Sequence, residues 1–413
     1  MIVEHIDGSR LWGEIERLGR ISEHPFPAVT RVLFSEADVE ARGWLKGLCA
    51  EAGLATREDA AGNLFARWEG SEGGLPAVAT GSHTDAIPNA GKYDGVVGVL
   101  GGLEAIRELK AAGYVPRRSI ELIMFTAEEP TRFGVGCLGS RMMSGTMGVE
   151  EALALRDGEG KGLEEWRTRG GCEGDLAGVR LEAGCYSAFV ELHIEQGPVL
   201  EEEGVDIGVV EKIAAPAAFR FCLTGAGGHA GAVLMPGRRD ALLAGAEIAL
   251  AVEAAARGSG SADTVGTTGI FEVKPGAINS IPCEVKLEVD LRDTDMAARE
   301  RAEAAIRAAA AAICGRRDIG LALETINSDR AAVCDEGLVE LVEGKARELG
   351  LTVRRMISRA YHDTLFMARL APVTMIFIPC RKGYSHRPDE YSSPEAIVNG
   401  VAVLAATLRS LSE

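Results

Sequence analysis

The fold class follows from LPAVATGSHTDAIPNAGKYDGVVGVLGGLEAIRELK (residues 75–110) and SIELIMFTAEE (residues 119–129). The apolar runs 75–83 and 119–129 are typical of buried strands, whereas residues 95–110 carry apolar side chains at helical spacing. Strand, helix and strand in this order predict a βαβ unit, and hence an α/β fold with a mostly parallel sheet. Ligand sites of such sheets lie beyond the carboxyl ends of the strands, where His83 and the Glu128–Glu129 pair fall.

The length of 413 residues predicts two domains, since one compact domain is usually smaller. From about residue 212, alternating strands and two strong helices, at 238–256 and 296–314, predict an α/β sandwich. We therefore expect an inserted domain at 212–328 within a catalytic domain formed by 1–211 and 329–413. Elsewhere the patterns predict helices at 10–20 and 36–53, helical turns and loops on the surface at 144–187, and a strand at 189–197.

The formal net charge of −17 disfavours nucleic acid and anionic membranes as partners, because both repel an acidic surface. No apolar run is long enough to span a bilayer. Nine cysteines without CxxC or CxxH spacing predict reduced thiols rather than a disulfide framework. Residues 1–22 are amphipathic and acidic, without the basic start and apolar core of a signal peptide. These features predict a cytoplasmic protein.

Metal-binding side chains occur in short motifs at strand ends or tight turns. The motifs are GSHTDAIPNAGKYDG (81–95), FTAEEPTRFG (125–134), ELHIEQGP (191–198) and GYSHRPDEYSS (383–393). The candidate ligands are His83, Asp94, Glu129, His193 and His386. A lone His-x-Asp or Glu-Glu pair is more often part of a core or a solvated face, so it is their conjunction that favours a metal site. Such mixed ligands predict two divalent ions, Zn²⁺ or Mn²⁺, with Co²⁺ and Ni²⁺ as alternatives.

Asp85 and Glu128 are candidate catalytic residues beside these ligands. Asp85 can accept the free ring N–H of His83, which would fix the tautomer of the ligand. Glu128 and Glu129 are neighbours at a strand end, so their side chains diverge and cannot do the same job. One of them can ligate a metal ion while the other acts as a general base. His5 and His24 lack such a context, so we expect them to be structural or exposed.

His229, Asn279 and Arg292 in the inserted domain are candidates for substrate binding, and His229 is also a candidate catalytic residue. His229 lies in GAGGHAG (225–231), a glycine-rich turn from which a histidine can reach a substrate oxygen. A nucleotide loop is the alternative, but no Lys-Ser/Thr follows this turn. Arg292 ends a strand and can hold a carboxylate in a bidentate fork, with an ion pair to Asp290 or Asp293 as the alternative.

Together these motifs resemble the hydantoinase/carbamoylase family of binuclear amidases, within the aminoacylase-like and carboxypeptidase-like metallopeptidases. The resemblance covers nearly the whole chain. It implies a catalytic α/β domain with an inserted lid domain that also forms a homodimer. The site residues that it implies are His83, Asp94 and His193 on one ion, Asp94, Glu129 and His386 on the other, Glu128 as general base, and Gln196, His229, Asn279 and Arg292 on the substrate.

Several stretches are more similar to the branch of this family that hydrolyses ureidoglycolate. They are GKYDGVVGVLGGLEAI, EEPTRFGVGCLGSR, GGHAGAVLMPGRRDA, MISRAYHDTLFMAR and FIPCRKGYSH. Relatives that act on N-carbamoyl amino acids or allantoate more often carry SGAGHD where this chain has SRAYHD (358–363). Within this run, His362 is a further substrate-binding candidate.

The expected activity is hydrolysis of the C–N bond of a small ureido acid. The best match is (S)-ureidoglycolate, which would give glyoxylate, ammonia and carbon dioxide. N-carbamoyl-L-amino-acid hydrolase and allantoate amidohydrolase are the nearest alternatives, and a peptidase on the same scaffold is more remote. A metal-binding protein without catalysis is the alternative from another class. The spare Glu128 beside a complete ligand set argues against it.

Overall fold

The structure, a computed structural model, describes residues 6–413, so His5 lies outside the described residues. The chain forms two compact units. Unit 1 contains residues 6–211, 333–358 and 362–413, and unit 2 contains residues 212–332 and 359–361. The expected function of the inserted segment as a lid and dimerisation domain stays a prediction.

The first segment of unit 1 supplies most strands of its sheet. In chain order its elements are α1 (Gly8–Arg20), β1 (Val29–Arg31), α2 (Glu36–Glu51), β2 (Ala55–Glu58), β3 (Leu64–Trp68), β4 (Ala77–His83), β5 (Ala86–Ala90), α3 (Val96–Ala111), β6 (Ile120–Phe125), α4 (Leu138–Ser144), α5 (Val149–Ala154), α6 (Leu163–Arg169), a 3-10 turn (Leu176–Val179), β7 (Tyr186–Ile194), α7 (Val199–Glu203) and β8 (Ile207–Ile213).

Two further groups of elements complete the chain. Unit 2 contains β9 (Ala215–Thr224), β10 (Gly228–His229), α8 (Ala241–Arg257), β11 (Val265–Lys274), β12 (Ser280–Ile281), β13 (Glu284–Asp293), α9 (Met296–Arg317) and β14 (Gly320–Ser328). After β15 (Ala332–Val333), the second segment of unit 1 contains α10 (Glu336–Glu348), β16 (Val353–Ser358), α11 (Thr364–Met367), β17 (Val373–Ile378), a 3-10 turn (Arg381–Gly383) and α12 (Pro394–Ser412).

Unit 1 is built on a mixed sheet with the strand order β15-β8-β17-β7-β4-β6-β3-β2, and β16 pairs with β8. The central strands β17, β7, β4 and β6 run parallel to one another, and every residue of β4, β6 and β17 is buried. The strands β8, β3 and β2 pair antiparallel on either side of this centre. The predicted α/β class is confirmed, with a sheet whose centre is parallel and whose outer pairs are antiparallel.

Helix α3 is apolar on nearly every side because it packs against β4 and β7 on one side and against α1 and α12 on the other. Gly98 permits the close approach of α3 to β4 and β7. A Cβ there would lie 2.4 Å from the carbonyl oxygen of Leu192 and 2.6 Å from Cβ of Ser82. The start of α3 therefore lies directly against the ends of two strands, which places Asp94, just before the helix, at the same end of the sheet.

Unit 2 is the predicted α/β sandwich. Its antiparallel sheet has the order β11-β13-β9-β14, with α8 and α9 packed against it. Along β13 the buried apolar residues alternate with more exposed polar ones, as a sheet covered on one face requires. Beside this sheet, β10 and β12 form a small antiparallel pair in which His229 lies opposite Ser280.

The predicted helices at 10–20 and 36–53 are found as α1 and α2. The region 144–187, predicted to hold helical turns and loops, contains the short helices α5 and α6 between loops. His24 is exposed, as expected. Among residues 6–413, no helix combines the length and the apolar character that crossing a membrane requires.

Candidate metal centre

Parallel strands bring the predicted ligands to one end of the unit 1 sheet. Strand β4 ends at His83, β7 ends one residue after His193, and the pair Glu128–Glu129 follows β6. Because β7, β4 and β6 are adjacent and parallel, their carboxyl ends share one edge. His386 comes from the segment after β17, the other parallel neighbour of β7.

Asp94 occupies the centre of this group. Its Oδ1 lies 3.1 Å from Nε2 of His193 and 3.6 Å from Nε2 of His83. Its Oδ2 lies 3.3 Å from Nε2 of His386. Asp94 thus presents one oxygen to each of two histidine sets, which is what a carboxylate that bridges two metal ions must do.

The ring orientations of His83 and His193 are set by main-chain acceptors. Nδ1 of His193 lies 2.8 Å from the carbonyl oxygen of Ile194, and Nδ1 of His83 lies 3.0 Å from that of Asp85. A ring that donates from Nδ1 keeps its Nε2 lone pair available as a metal ligand. In both rings, Nε2 is therefore the nitrogen that faces Oδ1 of Asp94.

Asp85 differs from its predicted role. Its carboxylate was expected to accept the ring N–H of His83, but that oxygen lies 3.5 Å from Nδ1, farther than the Asp85 carbonyl. The chain turns immediately after β4, so the carbonyl reaches the ring first. The carboxylate instead accepts the backbone N–H groups of Glu128 at 3.3 Å and Glu129 at 3.0 Å. Asp85 consequently holds His83 and the glutamate pair in one arrangement.

Glu128 and Glu129 face different histidines. Glu129 Oε1 lies 3.2 Å from Nε2 of His386, whereas Glu128 Oε2 lies 3.7 Å from Nε2 of His83. The other oxygen of Glu128 lies 3.7 Å from the Sγ of Cys137, which can donate a weak hydrogen bond to it. The divergence that the adjacent positions predict is therefore present, with Glu129 in the set of His386 and Asp94.

The electrostatics of the group favour added positive charge. Hydrogen bonds to Asp94 and Glu129 raise the pKa of His386 to about 11. Burial alone would raise the pKa of Asp94, but hydrogen bonds from His193, His386 and His83 outweigh it and lower that pKa well below its usual range. Burial, together with the neighbouring carboxylates of Glu129, Asp363 and Asp94, raises the pKa of Glu128 well above its usual range.

The donor set fits two divalent ions. The ligand atoms of His83, Asp94 and His193 lie within 4.8 Å of one another, and so do those of Asp94, Glu129 and His386. Imidazole and carboxylate donors suit zinc and other first-row divalent metals. The carboxylates favour protonation of the buried histidines, and a bound cation can supply that positive charge in place of the protons. Glu128 belongs to neither set, so it stays available for proton transfer.

Gln196 and His362 lie beside these ligands in unit 1. Nε2 of Gln196 donates to Oδ2 of Asp94 at 2.7 Å, from a backbone with φ of 55°. The buried His362 packs edge-on against the ring of His193, with centroids 4.5 Å apart, and contacts the Ser358 hydroxyl at 3.0 Å. Their predicted contacts with substrate remain predictions.

A further set of ligand types, Glu191, His193 and His362, lies close enough together to hold an ion. Its carboxylate is already engaged, because Glu191 accepts hydrogen bonds from the hydroxyls of Ser82 and Thr364. This set is therefore better described as the buried polar support of His193 than as another metal site.

Among the predicted residues of unit 2, Asn279 and His229 lie in joined loops, and Arg292 lies near the end of β13. The carbonyl of Asn279 accepts the backbone N–H of Ala230 at 2.9 Å, which joins its loop to the His229 turn. Arg292 forms a fork with the carboxylate of Asp290, with N–O distances of 2.7 and 2.9 Å, and lies over the ring of Tyr361. The ion pair that the sequence offered as the alternative is thus present. The substrate role of Arg292 stays a prediction.

Two polar residues of the site were not singled out from the sequence. The hydroxyl of Ser385 lies 2.8 Å from Oδ2 of Asp94, and Glu390 accepts the backbone N–H of Asp94. Both lie inside the motif that carries His386. Only their position next to His386 could have indicated a role. A serine and a glutamate in such a polar stretch are common on any protein surface.

Comparison with known proteins establishes the family. The model of Peptidase family M20/M25/M40 matches residues 79–410. The chain belongs to this family. This M20-family hydrolase is 54% identical over 414 residues to the ureidoglycolate hydrolase of Arabidopsis thaliana, which covers 98% of this chain and 87% of the relative.

Solved structures of M20-family relatives agree over nearly the whole length. The crystal structure of AtUAH in complex with (S)-hydroxyglycine has a TM-score of 0.92 at 53% identity and covers 99% of this chain and 98% of that one. The hydantoinase/carbamoylase family amidase of Burkholderia vietnamiensis has a TM-score of 0.92 at 34% identity and covers 98% of each chain. The predicted resemblance and the predicted hydrolase class are thus confirmed.

Proposed function

We propose that this chain is a two-metal amidohydrolase that cleaves the ureido C–N bond of (S)-ureidoglycolate, giving glyoxylate, ammonia and carbon dioxide. The observation that carries the proposal is Asp94, whose two oxygens face separate histidine sets while Glu128 stands outside both. The likeness to a ureidoglycolate hydrolase at 54% identity supports the choice of substrate.

The chemistry divides between the ions and the side chains. His83, Asp94 and His193 would hold one divalent ion and Asp94, Glu129 and His386 the other, and this pair would supply polarisation of the ureido carbonyl and activation of a water molecule. Glu128 accepts a proton from the attacking water and delivers it to the departing nitrogen. Its burial and its raised pKa suit a group that must hold a proton between the two steps. Zn²⁺ and Mn²⁺ are the preferred ions, with Co²⁺ and Ni²⁺ as alternatives.

The carboxylate end of the substrate is assigned to Gln196, Asn279 and Arg292, and the developing oxyanion to His229. Two hydrogen bonds to the Asp290 carboxylate fix the orientation of the Arg292 guanidinium, which then needs little further ordering to bind a substrate carboxylate. The His229 ring is partly ordered too, since its Nδ1 accepts the backbone N–H of Gly231 at 3.1 Å. The other ring nitrogen is then the donor to a substrate oxygen.

N-carbamoyl-L-amino acids and allantoate are the rival substrates. The feature that favours ureidoglycolate is the SRAYHD run (358–363), because Arg359 and Tyr361 stand where, by the family resemblance, the rival enzymes more often carry glycine. Arg359 pairs with Asp263, and Tyr361 lies beneath Arg292, so both side chains fill space that glycine would leave open.

A parallel turnover assay tests the proposed substrate. The Mn²⁺-loaded full chain is given (S)-ureidoglycolate, an N-carbamoyl-L-amino acid, allantoate and a dipeptide, and ammonia or amine release is measured. We expect the highest kcat/KM with ureidoglycolate, together with glyoxylate formation, and no turnover by Glu128→Gln. A higher kcat/KM for another substrate would replace the assignment. Tight metal binding without any turnover would favour the non-catalytic alternative.

We also propose that the chain forms a homodimer through unit 2. Strand β11 is an edge of the four-stranded sheet, so its outer backbone groups are available to a strand of a second copy. Phe271 on β11 and Leu250 on α8 are exposed apolar residues of that unit, 37% and 67% exposed. Light scattering should give a dimer for the wild type and a monomer for Leu250→Glu. Val115→Glu, an exposed apolar position of unit 1, is the control that should stay dimeric.

The compartment is proposed to be the cytoplasm. All nine cysteines are free in the described part of the chain, which suits a reducing environment. Fractionation of cells that express the full chain tests this assignment, and recovery with periplasmic or membrane fractions would contradict it.

A further inference from the structure

Glu390 joins the two chain segments that carry Asp94 and His386. One carboxylate oxygen, Oε1, accepts the backbone N–H of Tyr93 at 2.8 Å and that of Asp94 at 3.1 Å. The other oxygen, Oε2, accepts the hydroxyl of Ser385 at 2.9 Å. The side chain is buried, with 4% of its surface exposed. A buried carboxylate whose bonds span both segments fixes them relative to each other.

The Asp94 turn is shaped to receive this carboxylate. A Cβ added at Gly91 would lie 2.4 Å from both Cβ and Oε1 of Glu390. Only a residue without a side chain lets the glutamate lie against the backbone at that point. The contact is therefore a built feature of the turn and not a chance approach of two surface loops.

The hydroxyl of Ser385 connects Glu390 to the bridging carboxylate. Its Oγ lies 2.8 Å from Oδ2 of Asp94 and 2.9 Å from Oε2 of Glu390. A serine hydroxyl carries one proton, so it can donate to only one of these carboxylates at a time. Nε2 of Gln196 donates to both Oγ and Oδ2, and so closes the group from the other side.

We propose that Glu390 is a positioning residue of the metal site, which draws the Ser385 proton to itself and so leaves Oδ2 of Asp94 available to a divalent ion. The proposal rests on the proposed two-metal function and adds a residue that touches neither ion. When Ser385 donates its proton to Glu390, the lone pairs of the hydroxyl face Oδ2 of Asp94. The two oxygens then need a positive group between them, which is the Gln196 amide or a bound ion. Without that acceptor, the hydroxyl proton stays on Oδ2 and competes with the ion.

Glu390→Gln separates this role from plain support of the backbone. The amide oxygen can still accept the N–H groups of Tyr93 and Asp94, so the turn keeps its bonds. The amide nitrogen then faces Ser385 as a donor, and the hydroxyl proton is directed to Oδ2 of Asp94. In a Ser385→Ala background that competing proton is absent, so the same glutamine should do little harm.

The test is a Mn²⁺ titration of the full chain after dialysis against a chelator, with free Mn²⁺ followed by electron paramagnetic resonance. We expect two sites in the wild type and a loss of about 10–100-fold in affinity at one site in Glu390→Gln, the usual range for residues that support ligands. Ser385→Ala should stay within a few-fold of wild type, and the double variant should recover to the level of Ser385→Ala. Asp240→Asn, a carboxylate that accepts two backbone N–H groups in unit 2, is the charge control and should bind as wild type.

The outcomes distinguish the inference from the function on which it rests. Wild-type affinity in Glu390→Gln, or a double variant as weak as Glu390→Gln alone, would overturn the positioning role and leave the two-metal site intact. A wild type that binds no Mn²⁺ or Zn²⁺ would overturn the proposed function itself. Thermal melting of the metal-free variants checks folding. If the glutamine variant does not fold, Glu390→Asp, whose shorter side chain withdraws from Ser385, should show the same Ser385-dependent loss.

Discussion

At the scale of single residues, the adjacent glutamates give the sharpest prediction. Glu129 lies with His386 and Asp94, whereas Glu128 lies outside both ligand sets. Glu128→Gln should therefore abolish turnover and leave metal content near wild type, while Glu129→Gln should lower both. Metal analysis by mass spectrometry and an ammonia-release assay on the same preparations measure the two quantities. A depleted Glu128→Gln beside a replete Glu129→Gln would reverse the assignment.

Arg292 offers a second residue-scale prediction. Lysine keeps the charge but lacks the planar fork, so Arg292→Lys should raise KM strongly for a carboxylate substrate with a smaller change in kcat. Asp290→Asn is the matched variant, because it removes the partner of the fork and keeps the guanidinium. Steady-state kinetics on (S)-ureidoglycolate measure both. Unchanged constants in Arg292→Lys would leave Arg292 as an ion pair of the unit 2 surface.

What the sequence predicts about the site has a physical limit. Histidines and acidic residues at strand ends can be recognised from the sequence, because few functions other than ligand binding need that combination at the edge of a parallel sheet. The hydroxyl of Ser385 and the carboxylate of Glu390 act through hydrogen bonds to residues almost 300 positions away, as in Tyr93 N–H to Glu390. Their residue types are common on any surface, so only the fold reveals them. The same holds for Asp85, where a carbonyl took the place expected of the carboxylate.

At the scale of elements, the contact of α3 with the strand ends can be tested. Ala at Gly98 would push against Leu192 and Ser82, and the helix could relieve it only by moving away from both strands. We expect a loss of stability of about 1–3 kcal/mol, the usual cost of overpacking, and weaker metal binding. Gly43 in α2 has no atom within 4 Å of its would-be Cβ, so Gly43→Ala should instead gain about 0.5–1 kcal/mol.

Urea denaturation of the metal-free chain measures the stability of both glycine variants, and a loss in Gly43→Ala similar to that in Gly98→Ala would contradict the packing argument.

Some elements of the fold could be predicted from the sequence and others could not. The fully buried strands β4 and β6 and the helix α3 were predicted because continuous apolar runs and helical periodicity are strong signals. The outer strands β2 and β3 are short, and β2 is polar and mostly exposed, so pairing with β3, and not its own sequence, makes β2 a strand.

At the scale of the whole molecule, the proposed dimer would make the active site a joint property of two chains. His229 lies in unit 2 and all proposed metal ligands lie in unit 1. A two-fold dimer through unit 2 would carry the exposed His229 turn of one copy toward the metal site of the other. On its own, His229→Ala should lower kcat more than it raises KM, by on the order of 10²-fold, because an oxyanion donor acts in the transition state.

Mixing two inactive variants tests this arrangement directly. Glu128→Gln and His229→Ala are combined and their subunits allowed to exchange. In a mixed dimer, one site carries both substitutions and the other carries neither, so activity should return to roughly a quarter of wild type at random pairing. Native mass spectrometry confirms that the mixed dimers form. Mixed dimers without recovered activity would place His229 in the site of its own chain or outside catalysis, and the inserted domain would then serve each subunit separately.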